Sequence, residues 1–331
     1  MIDVARAAGV APSTVSYVLN GKRPISAETR RQVEQCIRQL GYRPPGRRTL
    51  AARHRTGVLG LLAPLRAGAN MSAMTRFVGA TMVAARAKDH DLLLLTGDAG
   101  LSGLRRAMST AVADALIVMD VQASDPRIPA LLTLDRPVVL VGESDRPTGL
   151  TCVDLDFAAA ADRAVEHLTN LGHRSVGLVG TAYVPGIGHP RRFARAFEAA
   201  AGKHGLRARW RPSGDSGEAV RSCLDALLGE HPDITALVVE NEAALRVVIE
   251  NLRGHGRRVP ADVSVLAVCH EEAAERRFTS VALPTAALGQ LAVEVALRQL
   301  YGEVEPDSRL LAPSLTIRES TGPAPVTSFG A

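Results

Sequence analysis

The sequence predicts an α/β protein in which an N-terminal helix-turn-helix head of three helices precedes a two-lobed core of doubly wound parallel sheets. Three observations carry this reading. From Gly57 onward, short apolar runs alternate with amphipathic segments, the pattern of parallel strands covered by helices on both faces. That pattern fills more than 250 of the 331 residues. One ordinary doubly wound domain holds fewer, so the body divides into two lobes. The excess positive charge sits at the front: eleven basic and three acidic residues give positions 1–55 a net charge of +8, while 28 basic and 31 acidic residues leave the remainder at −3. A basic head on a near-neutral body is the electrostatic footprint of a polyanion-binding module.

The head follows in order. Ile2–Ala8 carries apolar Ile2, Val4, Ala5 and Ala8, and Gly9 breaks it. Pro12 suits the first turn of a second helix, where its missing N–H costs nothing. Ser13–Leu19 then turns Val15, Val18 and Leu19 inward at i, i+3, i+4, and Asn20-Gly21 ends it. Ser26 is the expected N-cap of a third helix with Glu28 in its first turn. Val33, Ile37 and Leu40 form its buried stripe, and Gly41 stops it. In such a module the second helix enters the DNA major groove with its N-terminal residues at the base edges. Pro12, Ser13, Thr14, Ser16, Tyr17 and Asn20 are therefore the candidate DNA contacts, with residues 1–43 as the DNA-binding domain. Positions 44–56 read as a hinge: Pro44-Pro45-Gly46 is non-helical, and Arg47–Arg53 can form two helical turns. Arg47 and Arg48 are phosphate-contact candidates, and Leu50 is the one large apolar side chain there.

In the body, Val58–Ala63, Leu92–Leu95, Ala115–Met119, Val138–Val141, Val176–Val179, Ala236–Val239 and Ser264–Val268 read as strands. Met71/Met74/Val78/Met82 and Phe157/Ala161/Ala164/Val165/Leu168 read as helical stripes between them. With 46% hydrophobic and 22% charged residues the chain is globular, not disordered. Its apolar runs are far shorter than the ~18–20 residues of a membrane span, and its N-terminus lacks a signal-peptide profile. A cytoplasmic location with no membrane partner is expected. Cys36, Cys152, Cys223 and Cys269 form no CxxC pair, so neither a disulfide framework nor a zinc site is expected. No cofactor is expected.

The segments Asp3-Val4-Ala5-Arg6-Ala7-Ala8-Gly9-Val10 and Thr14-Val15-Ser16-Tyr17-Val18-Leu19-Asn20-Gly21 resemble the opening of lactose-repressor (LacI/GalR) family regulators. Ile25-Ser26, Thr29-Arg30 and Leu40-Gly41-Tyr42-Arg43-Pro44 continue the match in register. The resemblance implies a homodimeric transcription factor, usually a repressor, on a short palindromic operator of double-stranded DNA. It also makes residues 44–56 a hinge helix whose leucine, here Leu50, wedges into the minor groove. Leu171-Gly172-His173-Arg174, Val259-Pro260-Ala261-Asp262-Val263-Ser264-Val265 and Leu315-Thr316-Ile317-Arg318-Glu319-Ser320-Thr321 extend the match through the body. They imply a periplasmic-binding-protein-like core whose chain crosses between lobes three times, near 155, 280 and 307. The expected lobes are 57–154 with 281–306, and 155–280 with 307–331. The head departs from the family at Ala11, where a capping serine is usual, and at Tyr17, where arginine is common.

The same resemblance places an effector in the cleft between the lobes. Its arginine matches Arg191, with Arg192 as the alternative register, and its Asn-Asp pair appears as Asn241-Glu242. Cys269-His270 stand where Asp-Asp is usual, Leu283 replaces a glutamine, Leu65-Arg66 stand where an acid is usual, and Phe157 follows Asp154 and Asp156 in place of an asparagine. Arg191, Asn241, Glu242 and Cys269 are the candidate effector contacts. The implied cleft is less acidic and more apolar than a sugar site, so common free pyranoses are not expected to be effectors. A solute-binding receptor-like sensor or an α/β enzyme shares such a body. No phosphate loop, GxSxG elbow or HExxH motif supports catalysis, and the basic head argues against a receptor.

Overall fold

The computed structural model describes residues 2–12, 14–15, 18, 26, 28–29, 31–33, 36, 55–63, 71–96, 113–145, 147–181, 189–214, 216–240, 242–270, 277–303 and 308–325. It divides into two compact units, 1–55 and 56–331.

The head opens with the helix Ile2–Ala7. Its end satisfies two otherwise orphaned carbonyls: the Gly9 N–H donates to the Arg6 carbonyl at 3.3 Å, and the Val10 N–H donates to the Ala5 carbonyl at 3.0 Å. This Schellman ending needs a left-handed residue, and Gly9 supplies it with φ +60°. The next helix starts at Pro12 with the Ala11 carbonyl accepting from the Thr14 N–H at 2.9 Å. Ala11 is thus the N-cap, with no side-chain oxygen to offer. Ser26 does cap the third helix, accepting from the Thr29 N–H at 3.1 Å. Val4, Ala5, Ala8, Val15, Val18, Val33 and Cys36 make one apolar core, with Val10 against it. Leu19, Ile37, Leu40 and the hinge residues 44–54 lie outside the described residues.

The body holds two six-stranded sheets. The first contains β1 (Val58–Leu62), β2 (Asp91–Leu95), β3 (Ala115–Val118), β4 (Val138–Val141), β5 (Thr151–Leu155) and β11 (Ser308–Leu311), in the order β11-β5-β4-β3-β1-β2. The second contains β6 (Ser175–Thr181), β7 (Arg207–Ser213), β8 (Ala236–Val239), β9 (Ser264–His270), β10 (Thr279–Leu283) and β12 (Ser314–Thr316), in the order β12-β10-β9-β8-β6-β7. All pairings are parallel except β10 with β12. Helices cover these sheets, burying Leu59, Leu61, Ile117 and Val139 in the first and Val176, Leu178, Val238 and Leu266 in the second.

Two expected boundaries move. The strand Thr279–Leu283 pairs with β9 and β12, so the chain leaves the second lobe near 284 rather than at 280. Ser308–Leu311 pairs with β5 of the first sheet, so the last crossing falls near 312 rather than at 307. A crossing inside either strand would strip part of a hydrogen-bond ladder from backbone groups that need it.

The helix Met71–Arg86 forms where its stripe predicts. Its buried residues are Phe77, Thr81 and Ala85, and Val78 packs against the same core, while Met71 and Met82, with Val83, are more than half exposed. The Phe157–Asn170 helix buries Phe157, Ala161, Ala164, Val165 and Leu168, as its stripe predicts. All four cysteines are buried, and none is joined to another.

A polar clasp ties the end of the chain to the second lobe. Buried His173 reaches Thr235 Oγ1 at 2.8 Å through Nδ1, and Ser264 Oγ and the Gly322 carbonyl at 3.1 Å through Nε2. His167 Nε2 reaches Thr321 Oγ1 at 2.9 Å, which in turn meets Thr279 Oγ1 at 2.8 Å.

Candidate functional site

Two regions can carry function. In the head, Pro12 is exposed and Thr14 half-buried on the second helix. Val15 and Val18 turn into the core. Ser13, Ser16, Tyr17, Asn20, Arg47, Arg48 and Leu50 lie outside the described residues.

The second region lies between the two sheets, at the C-terminal ends of their strands, where doubly wound folds bind ligands. Asp154 is next to last in β5 and Glu143 stands two residues beyond β4, both in the first lobe. Arg192 is near the start of the helix His189–Lys203, which follows β6 in the second lobe. The Arg192 guanidinium donates from Nη1 to Asp154 Oδ2 across the lobes, and Glu143 Oε2 lies 4.0 Å from the same nitrogen. The Phe157 ring lies under it, 5.1 Å from the guanidinium carbon to the centroid, a cation–π contact. The asparagine-to-phenylalanine departure at 157 thereby gains a structural role.

Asp154 is held rigidly. Its Oδ2 also accepts from the Glu143 N–H at 3.0 Å, and its Oδ1 accepts from the Leu155 N–H at 2.8 Å. The first of these depends on Gly142, whose φ of +109° turns the chain past the end of β4. Burial pushes the Asp154 carboxyl above its ordinary range, while the charge and hydrogen bond of Arg192 pull it down. Asp156 serves differently: it caps the Phe157–Asn170 helix by accepting from the Ala159 N–H at 2.8 Å.

Of the expected effector contacts, Arg191 is exposed, and its neighbour Arg192 makes the cross-lobe contact. Glu242 opens the helix Glu242–Gly254 after β8; Asn241, like Leu65 and Arg66, lies outside the described residues. Cys269 is a correction. It is 3% exposed and packs in the second lobe's core with Val265, Ala267 and Phe278, because alternate residues of a strand face opposite sides. Asp154, retained at the lobe crossing in the sequence, stands in the cleft, and Glu143 joins it there. The signal for Glu143 was present: an acid just past the C-terminal end of an apolar strand faces such a cleft.

A second buried pair lies within the first lobe. Arg127, fully buried, donates from Nε to Asp125 Oδ1 at 2.9 Å and from Nη2 to Asp125 Oδ2 at 2.7 Å. Its Nη2 also reaches the Met119 and Asp120 carbonyls at 3.0 and 2.8 Å, closing the turn after β3. Among the described residues no cluster of three or more His, Cys, Asp or Glu side chains could hold a metal ion.

A basic three-helix head in one chain with a two-lobed α/β body defines a DNA-binding regulator with a built-in sensor-type core. Residues 1–45 match the profile of bacterial regulatory proteins of the lacI family, and residues 165–321 match that of the periplasmic binding protein-like domain. The HTH-type transcriptional regulator CelR of Thermobifida fusca is 30% identical over 340 residues, covering 96% of each chain. MalR of Streptomyces coelicolor, also an HTH-type transcriptional regulator, is 28% identical over 355 residues, covering 98% of this chain and 97% of its own. The lac repressor dimer bound to operator and an anti-inducer superposes with a TM-score of 0.70 at 22% identity, covering 97% of this chain and 98% of its own. The chain belongs to the lacI family of bacterial regulatory proteins and is a DNA-binding transcriptional regulator.

Proposed function

We propose that this regulator is a cytoplasmic, non-enzymatic repressor that binds a palindromic operator as a homodimer and is released by a small-molecule effector in the inter-lobe cleft. The +8 charge of residues 1–55, on a head whose helix-turn-helix core is formed by Val4, Ala5, Ala8, Val15 and Val18, carries the reading. The apolar surface at Met71, Met82 and Val83 is the kind of face a second copy covers. Relatives that are transcriptional regulators favour regulation over catalysis.

Base reading falls to Tyr17, Ser13, Thr14 and Ser16, and backbone contact to Arg47 and Arg48, with Leu50 as the minor-groove wedge. Fluorescence anisotropy of the full chain on palindromic and scrambled duplexes of about 14–20 base pairs tests this. Affinity for the palindrome is expected to fall steeply between low and moderate salt as counterions are recaptured. Tyr17→Ala is expected to cost ~1–3 kcal/mol on the cognate duplex and little on the scrambled one. Equal binding to both duplexes by the wild type, or binding indifferent to salt, overturns the reading.

A further inference from the structure

The contact between Arg192 and Asp154 is chemically odd for an open binding cleft. An arginine that awaits a ligand presents a bare guanidinium fork. Here one arm of the fork, Nη1, is already engaged by a carboxylate from the opposite lobe. Asp154 cannot easily swing aside, because two backbone N–H groups hold its oxygens at 2.8 and 3.0 Å and its side chain is only 5% exposed. Glu143 adds a second negative charge 4.0 Å from Arg192, and is itself held by Ser308 Oγ donating to its Oε1 at 2.6 Å. With both carboxylates ionised, these three side chains together carry one positive and two negative charges. An organic anion approaching Arg192 meets a net negative site, whereas the pair itself needs no ligand. The face of the guanidinium is packed on Phe157, and Arg192 Nε is buried with no hydrogen-bond partner. The Phe157 contact holds the side chain where Asp154 can reach it, while Nε remains an unused donor.

We propose that Asp154 is a built-in stand-in for a ligand acid: by engaging Arg192 across the cleft it holds the two lobes together without an effector and bars organic anions from that arginine. This rests on the reading of the cleft as the effector site. Asp154 is then a specificity-determining residue, and the ligand-free regulator already has its lobes joined. Any effector must either leave the pair intact or replace it with a better partner for Arg192.

The test uses the full chain and the variants Asp154→Asn, Arg192→Gln and the double substitution, with circular dichroism confirming that each is folded. Hydrogen–deuterium exchange is read at 151–157 and 189–197, and gluconate binding is read by isothermal titration calorimetry. Each single variant is expected to speed exchange at both segments, and the double variant is expected to add nothing further, because the two side chains act as one contact. Gluconate is expected to bind Asp154→Asn about tenfold or more tightly than wild type, and the gain is expected to vanish in the double variant. Arg192→Gln lies at the more exposed end of the pair and reads the exchange arm if Asp154→Asn does not fold. Unchanged exchange in the single variants overturns the proposal, as does gluconate binding to wild type as tightly as to Asp154→Asn. Operator binding is measured separately by anisotropy, so a failure of the DNA-binding reading shows there while calorimetry and exchange still decide this one.

Discussion

The two arginine–aspartate pairs of the body have the same chemistry and different consequences. Arg127 and Asp125 are two residues apart, fully buried, and close a turn within one lobe, with two backbone carbonyls taking further guanidinium protons. Arg192 and Asp154 are 38 residues apart, belong to different lobes, and leave the arginine side chain 24% exposed. A pair inside one lobe can only stabilise that lobe, since nothing on either side of it moves. A pair between lobes adds the same attraction to a joint that can open, so it also sets a conformational equilibrium.

Removing one partner separates the two pairs. Asp125→Ala is expected to cost ~3–5 kcal/mol, because it leaves a fully buried guanidinium uncompensated. Urea denaturation of the full chain should show a lower midpoint at unchanged slope. A cost under about 1 kcal/mol would mean that water reaches Arg127.

Arg192→Gln is expected to cost less, ~1–3 kcal/mol, and to depend on pH. The Asp154 carboxyl is already raised by burial and loses its opposing cation in the variant. Below its pKa it becomes neutral, so the penalty is expected to be largest at alkaline pH and to shrink on acidification. Melting curves of wild type and variant at pH 5 and pH 8 check the sign.

The clasp around His173 and His167 is expected to respond to pH in the opposite sense. Burial lowers both imidazoles below 6.5; in His173 the Gly322 carbonyl opposes the shift and the His167 charge adds to it. The unfolded chain therefore takes up protons first, and stability is full above the ordinary histidine value and lost as pH falls below it. The melting temperature of wild type should drop between pH 7.5 and 5.5, and His173→Gln should flatten that slope. An equal slope in the variant would remove His173 from the account.

The smallest effect lies far from either pair. Ala11→Ser would place a hydroxyl at the N-cap of the second helix, near the N–H of Thr14, and is expected to stabilise the head by about 0.5–1 kcal/mol. Thermal melting of the full chain, followed by exchange protection at residues 10–18, measures it.

Much of the fold was legible because it obeys local rules. Gly9 broke the first helix where a left-handed residue was needed, and Ser26 capped the third. Val138–Val141 and Ala236–Val239 were recognisable as strands because both faces of each are buried. Arg207–Ser213 was not, since it is an edge strand carrying Arg207, Arg209 and Arg211, and an edge need not be apolar. The apolar stripe located the Met71–Arg86 helix but not its buried residues, for a related reason: apolar spacing identifies a helix, and only packing says which side chains meet the core.

The cleft shows the same division. Sequence placed an arginine at the start of the helix after β6 but not which one, because adjacent helical residues point about 100° apart and both fit the spacing. Cys269 looked like a cleft residue from its position past a strand, and the alternation of the strand turned it into the core instead. By itself the sequence determined the basic head, its three-helix pattern, the α/β body and the family, all properties of neighbouring residues and of charge along the chain. Only the tertiary structure decided that Arg192 meets Asp154 and Glu143, because that contact joins the ends of strands in two different sheets, and no local preference encodes which ends will face each other.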